Sequence, residues 1–170
     1  AIEGKPPLKF APDVVEEHNL ASQFYPNDAL GLLKVKALGH SMRGMASGVQ
    51  IGYVAERWSR ERQRERTIGT PIYAICVDTL ESRREIALGL PDRANIVDIR
   101  IGGEQLELHP HTTRKQWLAS IPAEAAPMRC GEEFIAYASL IAGGLTAMAV
   151  RRMALGLPCH RFILHLATME

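Results

Sequence analysis

The sequence predicts an α+β fold, and three features carry the prediction. Ile96, Val97, Ile99 and Ile101 lead into Gly102-Gly103, beyond which Leu106 and Leu108 alternate with charge, the signature of a β-hairpin. Pro71 to Val77 is a short β-branched apolar run of the kind found in a central strand covered on both faces. Two spans, 41–66 and 132–154, run without proline through helix-forming residues and read as long helices. Together they imply a mixed or partly antiparallel sheet of about five or six strands packed against two long helices.

In chain order, Pro6, Pro7 and Pro12 exclude a helix at the start, so residues 1–12 read as an extended lead-in. Asp13 is placed to cap a short helix through Leu20. After Pro26-Asn27-Asp28, the run Leu30 to Leu38 has the alternation of a half-buried strand. Ser41 caps the first long helix, and the apolar run at 71–77 is followed by a short helix from Glu81 to Leu88. Thr112 or Thr113 caps a helix through Ile121, and the second long helix ends at Gly156 and Pro158. Arg161 to Leu166 reads as a last strand. At 170 residues, with an apolar share of 46% and a charged share of 23%, the chain is read as a single globular domain over 1–170.

The formal charge of +1 supplies no global field toward nucleic acid. The arginines of Trp58 to Arg66 are interleaved with Glu61 and Glu65, so nucleic acid is an unfavoured partner even there. Three well-separated cysteines, Cys76, Cys130 and Cys159, argue against a disulfide framework. No segment reaches the roughly 18 uncharged apolar residues of a membrane span, and the start lacks the basic-then-apolar order of a signal peptide. A cytoplasmic location without a membrane partner is the expectation.

Gly44, Gly48, Gly52, Ala55 and Ser59 would share one face of a helix over 41–66. Glycine in a helix costs about 0.5–1 kcal/mol against alanine, so such a face calls for a closely packed neighbour. The neighbour is the small-residue edge Ala136, Ser139, Gly143, Ala147 and Ala154 of the second helix, or a homodimer or protein partner docked on helix 41–66.

Two places suit chemistry. His109-Pro110-His111 falls between a predicted strand and a predicted helix, where two imidazoles can converge as catalytic groups or as ligands to a divalent metal. Cys130 precedes the second long helix, whose positive end favours a thiolate, although Glu132 and Glu133 push the other way. As a nucleophile Cys130 needs a base, and His109, His111 and His160 are the candidates. Cys76 reads as an inert core residue within its strand. No GxxxxGK[ST] or GxGxxG order occurs, so no nucleotide cofactor is predicted. The readings that follow are a small hydrolase or acyl-transferase using a Cys/His pair or a His-bound metal, and a non-catalytic subunit that binds a partner or itself.

Overall fold

The computed structural model describes residues 8–45, 52–59, 71–102, 105–123 and 136–166. The fold is α+β, and the chain divides into two compact units, Ala1–Ile68 and Gly69–Glu170.

In the first unit, β1 (Leu8–Phe10) pairs in parallel with β2 (Gly52–Val54), and between them lie α1 (Glu17–Gln23), a 3-10 turn (Asn27–Ala29) and α2 (Lys34–Met45). The first helix starts later than expected because Asn19 closes its end: the Glu16 N–H donates to Asn19 Oδ1 at 3.0 Å. Val15, Ala29 and Ala37 are buried together, with Leu20 and Tyr25 packed against them.

Two expectations fail in this unit. Of the strand read over Leu30 to Leu38, the first part is a turn with a single bridge from Leu33 to Val14, and from Lys34 on it is the start of α2, because the apolar residues there sit among lysine, alanine and leucine, which favour helix. The long helix over 41–66 is not continuous: α2 ends at Met45, and Gly52-Tyr53-Val54 is a strand. Two glycines at 48 and 52 weaken the helix, while Tyr53 and Val54 favour extended backbone. Gly44 and Gly52 therefore belong to different elements, so the small-residue face read over 41–66 does not form as one helix face. Residues 46–51 and 60–66 of that span lie outside the described residues.

The second unit carries a four-stranded mixed sheet in the order β3 (Ile72–Ile75), β4 (Asn95–Gly102), β5 (Gln105–His111) and β6 (Phe162–His165). β3 and β4 are parallel and joined by α3 (Leu80–Gly89); β5 is antiparallel to both β4 and β6. The predicted hairpin, the short helix after residue 80 and the final strand are all present. Six strands occur among the described residues, but as a sheet of four and a separate pair, not as one sheet. Among the described residues β3 lies at an edge of the four-stranded sheet and not at its centre. Its apolar run reaches both faces: Ile72 packs against the α5-side core and Ile75 is buried on the opposite face, while Ala74 is exposed.

Thr113 caps α4 (Arg114–Ser120), accepting from the Gln116 N–H, and α5 (Ala136–Ala154) is the one long helix among the described residues. Alternation divides the sheet into two unlike faces. Val97, Ile99, Leu106 and Leu108 point to one side and pack on Ala138, Ala142 and Ala149 of α5. The alanines of α5 thus meet the sheet. Of the edge predicted from Ala136, Ser139, Gly143, Ala147 and Ala154, the last three face outward and the first two are half-buried.

Candidate functional site

The other face of the sheet is polar. Register sets Asp98 opposite His109, Arg100 opposite Glu107 and Ile96 opposite His111, so three β5 side chains at every second position meet two charged residues of β4. α3 brings Arg83 and α4 brings Trp117 to this face.

Asp98 is fully buried and is the hub. Its Oδ1 accepts from Arg83 Nη1, and its Oδ2 accepts from Arg100 Nε at 2.8 Å and Trp117 Nε1 at 3.0 Å. Arg100 is held further by the Ser120 carbonyl at 3.0 Å and Ser120 Oγ at 3.1 Å, and Arg83 donates to the Ile99 carbonyl at 3.3 Å. Two guanidiniums against one carboxylate leave this interior cluster one positive charge in excess.

Next to it, His109 Nε2 lies 2.7 Å from Glu107 Oε2, and Gln105 Nε2 donates to Glu107 Oε1 at 2.7 Å. Burial pushes the Glu107 carboxyl up, but the hydrogen bonds from His109 and Gln105 and the nearby Arg100 charge bring it net below its ordinary value. His109 is 1% exposed, and burial lowers its pKa against the opposing bond to Glu107, with Arg100 and Arg161 lowering it further. The lowered pKa favours the neutral ring, in which Nε2–H faces Glu107 and, among the described residues, the buried Nδ1 has no partner. His111 is pushed down to about 4, first by burial and then by His109, with Asp98 opposing. Among the described residues its buried Nε2 likewise has no partner, and the two imidazole rings stack with centroids 6.3 Å apart.

The sequence placed His109 and His111 after a strand; both lie within β5, and Pro110 sits between them opposite Val97. The proline is accommodated because β6 pairs only with Gln105 to Leu108, so no ladder bond is asked of it on that side. The structure brings these two histidines together. His160 is exposed in the turn before β6, and Cys130 lies outside the described residues. Cys76 follows the end of β3 and is exposed, which corrects its reading as a core residue: the strand stops at Ile75 and sits at the sheet edge. Among the described residues no group of three or more His, Cys, Asp or Glu side chains is arranged to hold a metal ion. No helix among them is long and apolar enough to cross a membrane.

Asp98, Arg83, Arg100, Glu107 and Trp117 were not singled out by the sequence. The available signal was the alternation itself, Asp98 and Arg100 against Glu107 and His109 across a hairpin, whose polar side is normally the solvated one.

Comparison with known proteins places the fold. No family model and no curated protein matches the chain. Among solved structures the chain is similar to PaaA, with a TM-score of 0.68 and 16% identity over 95% of this chain and 61% of that one. It is similar to E. coli MccB solved with ATP, at a TM-score of 0.72 and 12% identity, covering 96% of this chain and 54% of that one. MccB described as a microcin C7 biosynthetic enzyme, in complex with N-formylated MccA, gives a TM-score of 0.72 at 10% identity, with 96% and 55% coverage. The chain thus spans between about half and three fifths of the length of these structures, and what it shares with them is the fold.

Proposed function

We propose that this chain works within an ATP-using biosynthetic enzyme and that the nucleotide meets it at the carboxyl end of β3. The observation that carries the reading is the parallel β3–α3–β4 unit, set in a fold that MccB shares over 96% of the chain in a structure solved with ATP. Where strands run parallel, ligands gather beyond their carboxyl ends, at the first turns of the following helices. Cys76 to Thr79 form that turn here. Asp78 is exposed, a hard oxygen donor suited to the magnesium that accompanies a triphosphate, and Thr79 fixes the start of α3 by accepting from the Ser82 N–H at 3.1 Å. The chain has no glycine-rich phosphate loop, so its own contribution is to the metal and to the reacting end of the nucleotide.

Within this reading, acyl transfer through Cys130 is the chemistry we favour over simple hydrolysis, since an activated acyl group needs an acceptor and a thiolate is an efficient one. The polar face narrows the choice of base. His109 is buried and committed to Glu107, and His111 is held down to about 4, a poor proton acceptor near neutrality. Exposed His160 is the imidazole best suited to the role.

Calorimetric titration of the protein with ATP and magnesium tests the proposal. Saturable binding that Asp78→Ala weakens at least tenfold, with the fold intact by circular dichroism, is the expected result. Absence of binding at millimolar ATP overturns it. Retention of ATP-dependent acyl labelling in Cys130→Ser would remove the thiol from the scheme.

A further inference from the structure

Two imidazoles on the polar face of the sheet each carry a buried nitrogen that the fold does not use. His109 Nε2 lies 2.7 Å from Glu107 Oε2, and an imidazole nitrogen facing a carboxylate is the one that carries the proton. The His109 side chain is 1% exposed, and among the described residues its Nδ1 has no partner. His111, two residues further along β5, has a buried Nε2 in the same condition. The donors that α3, α4 and β4 bring to this face are directed elsewhere: Arg83, Arg100 and Trp117 donate to Asp98, to Ser120 and to the Ile99 carbonyl. A buried nitrogen lone pair without a donor costs free energy, which a cation bound there would offset.

We propose that His109 Nδ1 and His111 Nε2 ligate one divalent transition-metal ion of the class that takes imidazole, such as zinc, nickel or copper. The Glu107–His109 pair is the arrangement that supports a metal-bound imidazole, because a carboxylate accepting from one ring nitrogen fixes the tautomer and makes the other nitrogen more basic. Gln105 Nε2 holds the second oxygen of that carboxylate at 2.7 Å, so the support is itself oriented.

Spacing agrees with chelation. Alternation puts both histidines on one face of β5, and Pro110 removes one backbone rotation between them. With metal–nitrogen bonds of about 2.0–2.1 Å, two rings bound to one ion have centroids roughly 5–6.5 Å apart, from tetrahedral to linear arrangements. The observed 6.3 Å falls at the wide end of that span. Charge around the pair is balanced, Asp98 and Glu107 against Arg100 and Arg161, so a cation meets no net repulsion. Two protein ligands leave the remaining positions to water or an exchangeable group, so the expected affinity is micromolar and not that of a closed structural site. The inference concerns β5 and does not rest on the nucleotide reading.

Equilibrium dialysis against zinc chloride tests it, with His111→Gln, Glu107→Gln and His160→Gln beside the wild-type chain and circular dichroism to confirm folding. The expected result is one zinc ion per chain at micromolar affinity, weakened at least tenfold in His111→Gln, about tenfold in Glu107→Gln through the lost orientation of His109, and unchanged in His160→Gln. Excess magnesium should not compete, since it prefers oxygen ligands. Replacing buried His109 also disturbs packing, so its part is read in the wild-type protein: long-range proton–nitrogen spectra should show zinc moving His109 Nδ1 and His111 Nε2 among the imidazole nitrogens. No zinc retained at submillimolar concentration overturns the proposal. So does bound zinc that His111→Gln leaves in place, or spectra in which other imidazoles respond and these two do not.

Discussion

Removing the Asp98 carboxylate tests the polar face most directly. Side-chain exposure at Asp98 is 0%, and the guanidiniums it neutralises are 3% exposed at Arg83 and 7% at Arg100. Asp98→Ala removes the carboxylate that both buried guanidiniums bond directly, leaving only the longer-range charges of Glu107 near Arg100 and Asp78 near Arg83, and strips the Trp117 indole of its acceptor. Deleting one partner of a buried ion pair costs about 3–5 kcal/mol, mainly as the desolvation of what is left behind, and that is the expected loss here. Against a typical total of about 5–15 kcal/mol it is large enough that Asp98→Asn, which keeps the volume and an acceptor for Trp117, is the more readily measured variant, at about 2–3 kcal/mol. Urea unfolding followed by circular dichroism gives the difference from the shift in midpoint at constant slope. The reasoning also requires that Arg83→Met, Asp98→Leu and Arg100→Met combined cost less than Asp98→Ala alone, since no charge then remains to be desolvated. A loss under about 1 kcal/mol in Asp98→Ala, or a triple variant weaker than the single one, would refute it.

Further outcomes follow from the same contacts. The His111 ring is neutral in the fold with a pKa near 4, whereas in the unfolded chain it takes up a proton near 6.5, so its contribution to stability is complete above 6.5 and is lost as pH falls toward 4. Discounted for a half-buried ring, the loss is about 1–2 kcal/mol, and urea midpoints measured between those pH values should fall less steeply in His111→Gln. Thr79→Ala removes the acceptor of the Ser82 N–H and should cost about 1 kcal/mol by the same assay. Leu108→Ala, at a fully buried position between the sheet and α5, should cost about 2–5 kcal/mol without altering nucleotide binding.

Elements specified by local chemistry were legible in the sequence. The β4–β5 hairpin announces itself by alternation around Gly102-Gly103, and α4 by the Thr113 cap. Elements whose identity rests on what they pack against were not. Val35 and Leu38 look alike in a strand or a helix at short range, and only the burial of Ala37 with Val15 and Ala29 settles α2. The site divides in the same way. His109 and His111 stand out as a residue pair, but their partners come from sequence positions 83, 98, 100 and 117, and only the cross-strand register and the return of α3 and α4 unite them. Asp98 was hidden because a charge alternating in a strand ordinarily faces water, and nothing local says that this one is covered.

The covering has a structural reason that bears on the proposed activity. A parallel neighbour for β4 requires a crossover, and α3 crosses over the polar face of the sheet, where apolar packing alone cannot hold it. Arg83 supplies the hold: it reaches from the second turn of α3 down to Asp98 and the Ile99 carbonyl. Four residues earlier in the chain, Thr79 caps the same helix, and the turn carrying Cys76 and Asp78 enters it. The buried ion cluster therefore fixes the angle at which that turn leaves β3. On this account Asp98→Asn should weaken ATP binding as well as lower stability, whereas Leu108→Ala, with an equal or larger loss of stability on the opposite face, should leave binding unchanged. Equal effects of the two variants on binding would mean that the cluster serves the fold and not the turn.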